Sequence, residues 1–252
     1  MNLPKPYFQD EWSTIYYVDA WEILLRMFDR SVDFVFTDPL YGHGNNDGDL
    51  IHNREKALGA KPSPCSTARP IANDKEEAGP LFRFALVEFN RLLSPGCCCC
   101  CCGGGGPDPQ FARWSLWLDE AIGFKQMVVW DKGPIGMGWH YRRSYECVLV
   151  GEKPGAKCRW FDETNCIENI IRLTPKIIPQ ADDHPTVKPS SLAGHFIQLH
   201  TRPGHLVLDP FMGGGSTGRA AKDLRRKFIG VEIEEQYCEA AAKLFSQEAL
   251  AL

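Results

Sequence analysis

From Pro189 onward the chain alternates between two hydrophobic periods, and this constrains its fold more than any other feature. Residues Pro189 to His200 read as a helix, His205-Leu-Val-Leu-Asp as a buried strand and Gly214 to Leu224 as a second helix. Lys227-Phe-Ile-Gly-Val-Glu-Ile then reads as another strand and Glu234 to Leu250 as a last helix. Strand, helix and strand joined by short connections give a parallel pair with a helix packed across it, the unit of an α/β sheet.

The first part of the chain continues the pattern. Thr14-Ile-Tyr-Tyr-Val reads as a strand, Trp21 to Phe28 as a helix and Asp33 to Thr37 as a strand. Phe82, Ala85, Leu86, Phe89, Leu92 and Leu93 fall on one helical face. Asp108-Pro109 supplies an N-cap and a first-turn proline for a helix with Phe111, Trp114, Trp117, Leu118 and Ala121 on its apolar face, and Gly123 stops it. Strands are expected at Lys125 to Trp130 and at Tyr145 to Val150. The 252 residues are read as a single domain, 1–252, with two interruptions. Residues 43–80 are poor in large apolar side chains and read as a long mobile surface loop, and such loops are usually functional. The region 131–183 is largely irregular and mixed in charge after its strand.

Eleven cysteines resemble a metal or disulfide signal, but six are consecutive, Cys97 to Cys102. Neighbours on a strand face opposite ways, so this block cannot close a four-thiolate cage by itself. It is read as a buried central strand with cysteine as a small hydrophobe. The others, at 65, 147, 158, 166 and 238, show no CxxC spacing, and no metal site is expected. A reducing compartment fits all of them. The formal net charge of −4 gives no global pull toward nucleic acid, so any such surface must be a local basic face. No apolar stretch approaches the ~20 residues of a membrane helix. Met1-Asn-Leu-Pro-Lys-Pro lacks the regions of a signal peptide, so a cytoplasmic protein without membrane contact is expected.

Two strand ends carry chemistry, because open α/β sheets bind ligands at the carboxyl ends of their strands. In His205-Leu-Val-Leu-Asp-Pro-Phe-Met-Gly-Gly-Gly-Ser-Thr-Gly, the residues Gly213, Gly215 and Gly218 match GxGxxG, with Glu232 at the distance of a ribose-binding acid. A nicotinamide dinucleotide would need a second mononucleotide half, and only twenty residues follow Glu232. A single adenosine with a short tail fits better. Asp209 and Phe211, an acid and an aromatic beside the glycines, suit a ligand with a positive charge and an adenine, and S-adenosylmethionine has both.

The other strand end is Val32-Asp-Phe-Val-Phe-Thr-Asp-Pro-Leu-Tyr-Gly. A carboxylate at the mouth of an apolar strand is costly unless something binds there. Asp38 and the carbonyl of Pro39 are suited to accept the two hydrogens of a nucleobase amino group. That localises its lone pair toward a methyl donor. Tyr41 offers a face on which an extruded base can stack.

Together these stretches resemble the amino-group (adenine or cytosine) DNA methyltransferases, in the permuted class whose catalytic half comes first. Thr37-Asp-Pro-Leu-Tyr-Gly resembles the family's (D/N/S)PP(Y/F/W) stretch, with Leu40 in place of the second proline and hence a less rigid turn. Asp209-Pro-Phe-Met-Gly-Gly-Gly-Ser-Thr resembles its DPFxGSGTT loop, and His184-Pro-Thr-Val-Lys-Pro its HPTxKP element. Trp130-Asp-Lys and Tyr141-Arg-Arg-Ser-Tyr-Glu resemble intermediate segments. The resemblance implies a Rossmann-like S-adenosylmethionine-dependent fold, with a mostly parallel seven-stranded sheet, one strand antiparallel, and helices on both faces. It implies Asp38, Pro39 and Tyr41 as catalytic residues. Asp19, Asp209, Phe211, Gly213, Gly215, Ser216, Thr217 and Glu232 would hold the cofactor, with Lys188 facing its carboxylate or fixing the adjoining loop. Trp139, Tyr141, Arg142 and Arg143 interleave aromatics with arginines and are candidates for DNA contact within a target-recognition region, 131–183. The implied substrate is adenine in duplex DNA, with cytosine and then RNA as alternatives; the GxGxxG match keeps an NAD-dependent oxidoreductase as the last of them. The implied partners are a homodimer mate and a cognate restriction nuclease.

Overall fold

Nine strands form one sheet in the computed structural model, which describes residues 3–42, 72–103, 110–133, 140, 144–164, 166–173 and 188–247. In chain order the elements are β1 (Phe8–Gln9), β2 (Ser13–Tyr17), α1 (Ala20–Leu24), β3 (Val32–Thr37), α2 (Ala78–Leu92), β4 (Leu93–Gly103), α3 (Gln110–Ala121), β5 (Phe124–Asp131), β6 (Tyr145–Glu152), β7 (Ile170–Ile171), α4 (Ser190–His200), β8 (Leu206–Asp209), α5 (Ser216–Asp223), β9 (Lys227–Glu232) and α6 (Glu235–Ser246). The sheet order is β1-β2-β9-β8-β3-β4-β6-β5-β7.

The expected seven strands are therefore corrected to nine. The additions are β1 and β7, two-residue strands at the two edges. The seven between them include one strand, β6, antiparallel to both neighbours. Asp108 and Pro109 lie outside the described residues, as do 43–71 of the expected loop. The end of that loop, Ala78 to Pro80, belongs to the first turn of α2.

Strand parity divides the core into two layers. Cys98, Cys100 and Cys102 face a layer built with Phe34, Phe36, Phe196, Phe228 and Phe245, under α4, α5 and α6. Cys97, Cys99 and Cys101 face the other, with Val35, Phe82, Phe89, Trp114 and Leu118, under α1, α2 and α3. All six cysteines are buried in the middle of the sheet, as small hydrophobes should be. Their size matters at Gly151 on the neighbouring β6. A Cβ there would stand 2.8 Å from Leu118 and 3.1 Å from the Cys99 sulfur, so the α3 helix lies close upon the sheet.

β4 opens with an irregularity. Between the pairs Val32↔Leu93 and Phe34↔Cys98 the chain spends five residues on β4 against two on β3. Gly96 sits in this excursion at φ +78°, and a Cβ on it would lie 2.3 Å from the Lys157 carbonyl oxygen. The segment after β6 is pinned here. The Arg159 amide donates to the Gly96 carbonyl at 2.8 Å, and the Gly96 amide to the Lys153 carbonyl at 2.8 Å.

At the end of α4, His200 is buried against Phe34, stacked at 5.2 Å, with Trp160 edge-on at 5.2 Å. Burial pushes its imidazole down to about 4, so the ring is neutral. Among the described residues no helix is long and apolar enough to cross a membrane.

Candidate active site

The sheet order brings the two chemical strand ends side by side. β2, β9, β8, β3 and β4 are parallel neighbours, so Asp19, Glu232, Asp209 and Asp38 stand at or just beyond the carboxyl ends of four adjacent strands. Because β6 is antiparallel, its first residues, Tyr145 and Glu146, lie at this same edge beside the end of β5. The strand ends are tied to one another. The Thr37 hydroxyl donates to Asp209 Oδ1 at 2.7 Å, joining the catalytic stretch to the glycine loop. The Val18 amide donates to the Glu232 carbonyl at 3.1 Å, joining β2 to β9.

Asp38 is held by two groups. Tyr41 donates its hydroxyl to Oδ1, and Lys188 donates to Oδ2 at 2.7 Å. Burial and the Asp38 charge push the Tyr41 phenol well above its ordinary pKa, so it stays a donor. Its ring stacks on Trp114 with centroids 5.5 Å apart and planes at 13°. The turn is fixed beyond Tyr41, where the Gly42 amide donates to buried Asp74 at 2.7 Å. That bond brings together the two ends of the 43–71 stretch.

Lys188 stands against Asp38 and Glu146, not against the glycine loop. Its ammonium pairs with Glu146 Oε2 at 3.1 Å, while Lys132 donates to Glu146 Oε1 at 2.5 Å. Burial opposes the Lys188 charge, but the carboxylates of Asp38 and Glu146 hold its pKa well above the usual lysine value. Burial also works against the Glu146 carboxylate, yet Lys188 and Lys132 outweigh it and hold the group at about 2. A depressed carboxylate pKa contributes stability that is full above the unfolded value and is lost as pH falls through the folded one. The Glu146 contribution, about 3 kcal/mol, should therefore be complete above the ordinary glutamate value of 4.5 and vanish toward about pH 2. Urea unfolding across this range checks it. The gap between wild type and Glu146→Gln should close as the solution is acidified, and a gap independent of pH would remove the assignment.

The cofactor side is built from acids and glycines. Asp209 is buried and accepts from Thr37 and, at 3.2 Å, from the Phe211 amide. Burial pushes its carboxyl up to about 6, against the hydrogen bonds of Thr37, Thr217 and Phe211, which favour the charged form. Burial pushes Glu232 up to about 7, although the amides of Gly213, at 2.9 Å, and Glu234, at 2.8 Å, donate to it. Phe211 is half-buried against the layer under α1 to α3. Gly213 and Gly215 adopt φ +51° and +85°, which favour glycine. Gly215 is the N-cap of α5, whose first residues are Ser216 and Thr217. Asp19 caps α1, accepting the Trp21 amide at 3.1 Å.

These residues fit S-adenosylmethionine. Two carboxyl groups that are costly to bury gain from a cationic centre and from ribose hydroxyl donors, and the start of α5 after the glycine turn favours a carboxylate.

Trp139, Tyr141, Arg142 and Arg143 lie outside the described residues. Of the described residues on either side, the Lys132 amide donates to the Ser144 carbonyl at 2.7 Å, at the edge where Glu146 meets Lys188. Sequence reasoning missed Glu146, Lys132, Thr37 and Trp114 as parts of the site. The signals were indirect: Thr37 heads the catalytic stretch, Lys132 closes Trp130-Asp-Lys, Glu146 closes the Tyr141 to Glu146 stretch, and Trp114 read as core.

The fold and site define a Rossmann-like methyltransferase, and comparison with known proteins gives the family. Residues 32–243 match the N6_N4_Mtase family, DNA methylase. The chain belongs to this family of amino-group DNA methyltransferases, enzymes that use S-adenosylmethionine. It is 27% identical over 270 residues to the Type II methyltransferase M2.DpnII of Streptococcus pneumoniae, covering 98% of this chain and 94% of that one. It is likewise 27% identical over 267 residues to M2.LlaDCHI of Lactococcus lactis subsp. cremoris, with the same coverage. Among solved structures it resembles the M1.HpyAVI–SAM complex, with 26% identity, a TM-score of 0.67, and 93% and 100% of the two chains covered. The cytosine-N4-specific PvuII DNA methyltransferase shares the fold, with a TM-score of 0.74 at 18% identity over 98% and 91% of the chains.

Proposed function

We propose that the chain methylates the exocyclic amino group of an adenine flipped out of duplex DNA, as the modification half of a restriction–modification pair. The observation that carries this reading is the Thr37–Asp209 bond of 2.7 Å, which makes the acid-proline corner and the glycine loop one continuous site. S-adenosylmethionine, when bound, supplies the electrophilic methyl group.

The chain's own residues prepare the acceptor. An ionised carboxylate has about four lone-pair sites. Tyr41 and Lys188 take one each on Asp38, so the aspartate still has capacity for an amino N–H. The Pro39 carbonyl accepts the other hydrogen, and the pair holds the nitrogen lone pair out of the ring. Asp38 takes the proton that the amino nitrogen sheds. Lys188, backed by Glu146, keeps the Asp38 carboxylate oriented. Tyr41, backed by Trp114, is a rigid platform for the base. Stacking contributes ~1–3 kcal/mol against an extrusion cost of a few. Asp19, Asp209, Phe211, Gly213, Gly215, Ser216, Thr217 and Glu232 bind the cofactor in this reading. The 131–183 region, with Trp139, Tyr141, Arg142 and Arg143, meets the DNA. An aspartate at the head of the catalytic stretch favours adenine over cytosine. The implied partners are duplex DNA, a nuclease reading the same site and a second copy of the chain.

Modification-sensitive sequencing of DNA from cells expressing the chain tests the proposal. N6-methyladenine at one short recurring sequence is the expected result. Methylation confined to cytosine N4 would overturn the choice of base, and unmodified DNA from cells making folded protein would overturn the reading.

A further inference from the structure

We propose that Cys98, Cys158 and His200 form a zinc-binding site at the edge of the sheet opposite the catalytic one. The three residues come from β4, from the segment after β6 and from the last position of α4. One ligand atom from each lies within 4.8 Å of the other two. The two sulfurs are 3.7 Å apart. Two thiolates each about 2.3 Å from a tetrahedral zinc stand about 3.8 Å apart, so the pair already has the spacing of a ligand edge.

The histidine is the second, independent observation. His200 is 4% exposed, and its Nδ1 is buried without a hydrogen-bond partner. A buried polar atom left unpaired calls for an explanation, and a metal lone-pair acceptor is one. The ring is clamped between Phe34 and Trp160, so its direction is fixed. Cys158 is held in turn, because its neighbour Arg159 is hydrogen-bonded to Gly96 and ion-paired with Asp33 at 2.7 Å.

The charge balance suits the setting. On binding, two S–H bonds break, two Zn–S bonds form and two protons leave to solvent, with no change of oxidation state. Zinc, two thiolates and a neutral imidazole sum to zero, which an apolar wall tolerates better than a free thiolate. Glu152, opposite Cys98 in the β4–β6 register, stands next to Cys158 but outside the three-ligand cluster, so a water fills the fourth position and leaves the sum at zero. His200 ends a helix that begins at Ser190 beside the catalytic edge, which puts the metal about 15 Å from the reaction at 1.5 Å per residue. Its role is therefore to fasten the segment after β6 to β4 and α4.

The test uses the full chain, prepared under reducing conditions, stripped with chelator and titrated with Zn²⁺ and Co²⁺. The expected result is about one metal per chain, with thiolate-to-cobalt charge transfer, tetrahedral d–d bands and a rise in Tm on adding zinc. Cys158→Ser should lose the bands and the Tm rise, while Cys166→Ser, altering an exposed cysteine outside the cluster, should keep both. Wild-type protein with fully titratable thiols that takes up no metal overturns the proposal, even if a variant fails to fold. So do cobalt bands that survive in folded Cys158→Ser. A Cys98–Cys158 disulfide found by peptide mapping of protein that binds no metal also overturns it, in favour of a redox pair.

Discussion

Asp38→Ala should reduce methyl transfer to DNA by about 10³-fold or more and leave S-adenosylmethionine binding close to wild type. The two effects separate because of what Asp38 touches. Its carboxylate meets Tyr41 and Lys188; its charge reaches Asp209, but no described hydrogen bond or ion pair joins it to Asp209, Glu232 or the glycine loop. Removing it frees Lys188, but Glu146 remains 3.1 Å from that ammonium, so the buried cation keeps a counter-charge and the fold survives. Labelled-methyl transfer to duplex DNA and calorimetric titration of the cofactor read the two quantities independently. Wild-type transfer by the variant would refute the assignment of Asp38. Loss of cofactor binding in step with activity would mean that the two strand ends act as one binding unit.

Gly218→Ala should be the most damaging small substitution in the cofactor half. Gly218 is the third glycine of the GxGxxG match, and its role here is packing. A Cβ on it would stand 2.2 Å from Cζ of Phe245 and 2.5 Å from Cε1 of Phe228. Both rings are buried, and they pack edge to face at 5.8 Å, so neither has room to retreat. Alanine gains about 1 kcal/mol over glycine in helix propensity, but overpacking of this severity costs about 3 kcal/mol, and the overlap wins. The net loss of about 2 kcal/mol should lower Tm by about 4–8 °C. A variant melting within about 2 °C of wild type would show that α5 can lift off β9 without penalty.

Much of this architecture could be read in the sequence because it rests on local pattern. The alternation after Pro189, the glycine turn after Asp209 and the apolar run ending at Asp38 each announce themselves within a dozen residues. The burial of the cysteine run followed from strand parity and side-chain size. What stayed hidden depends on which strands become neighbours. Glu146 joins the site only because β6 runs antiparallel and delivers its first turn of chain to the catalytic edge. Lys188 could be placed near a loop by its flanking prolines, but its pairing with Asp38 spans 150 residues. β1 and β7 are two residues long, too short to carry a period. Cys158 and His200 show no metal-ligand spacing because their proximity comes from the packing of α4 on β4, not from adjacency along the chain.

The cysteine run has a consequence for how the chain reaches this state. Six identical side chains in a row mean that β4 could slide against β3 or β6 and present sulfur where sulfur belongs, on either face. Nothing inside the run tells a correct alignment from a shifted one. The frame is set at the start of the run, by Gly96 at φ +78°, where a Cβ would lie 2.3 Å from the Lys157 carbonyl oxygen. A nascent sheet in the wrong frame would bury nearly as much and expose little to betray it. The kinetic traps of this protein should therefore be well-buried, misaligned sheets, with escape governed by the single glycine that opens the run.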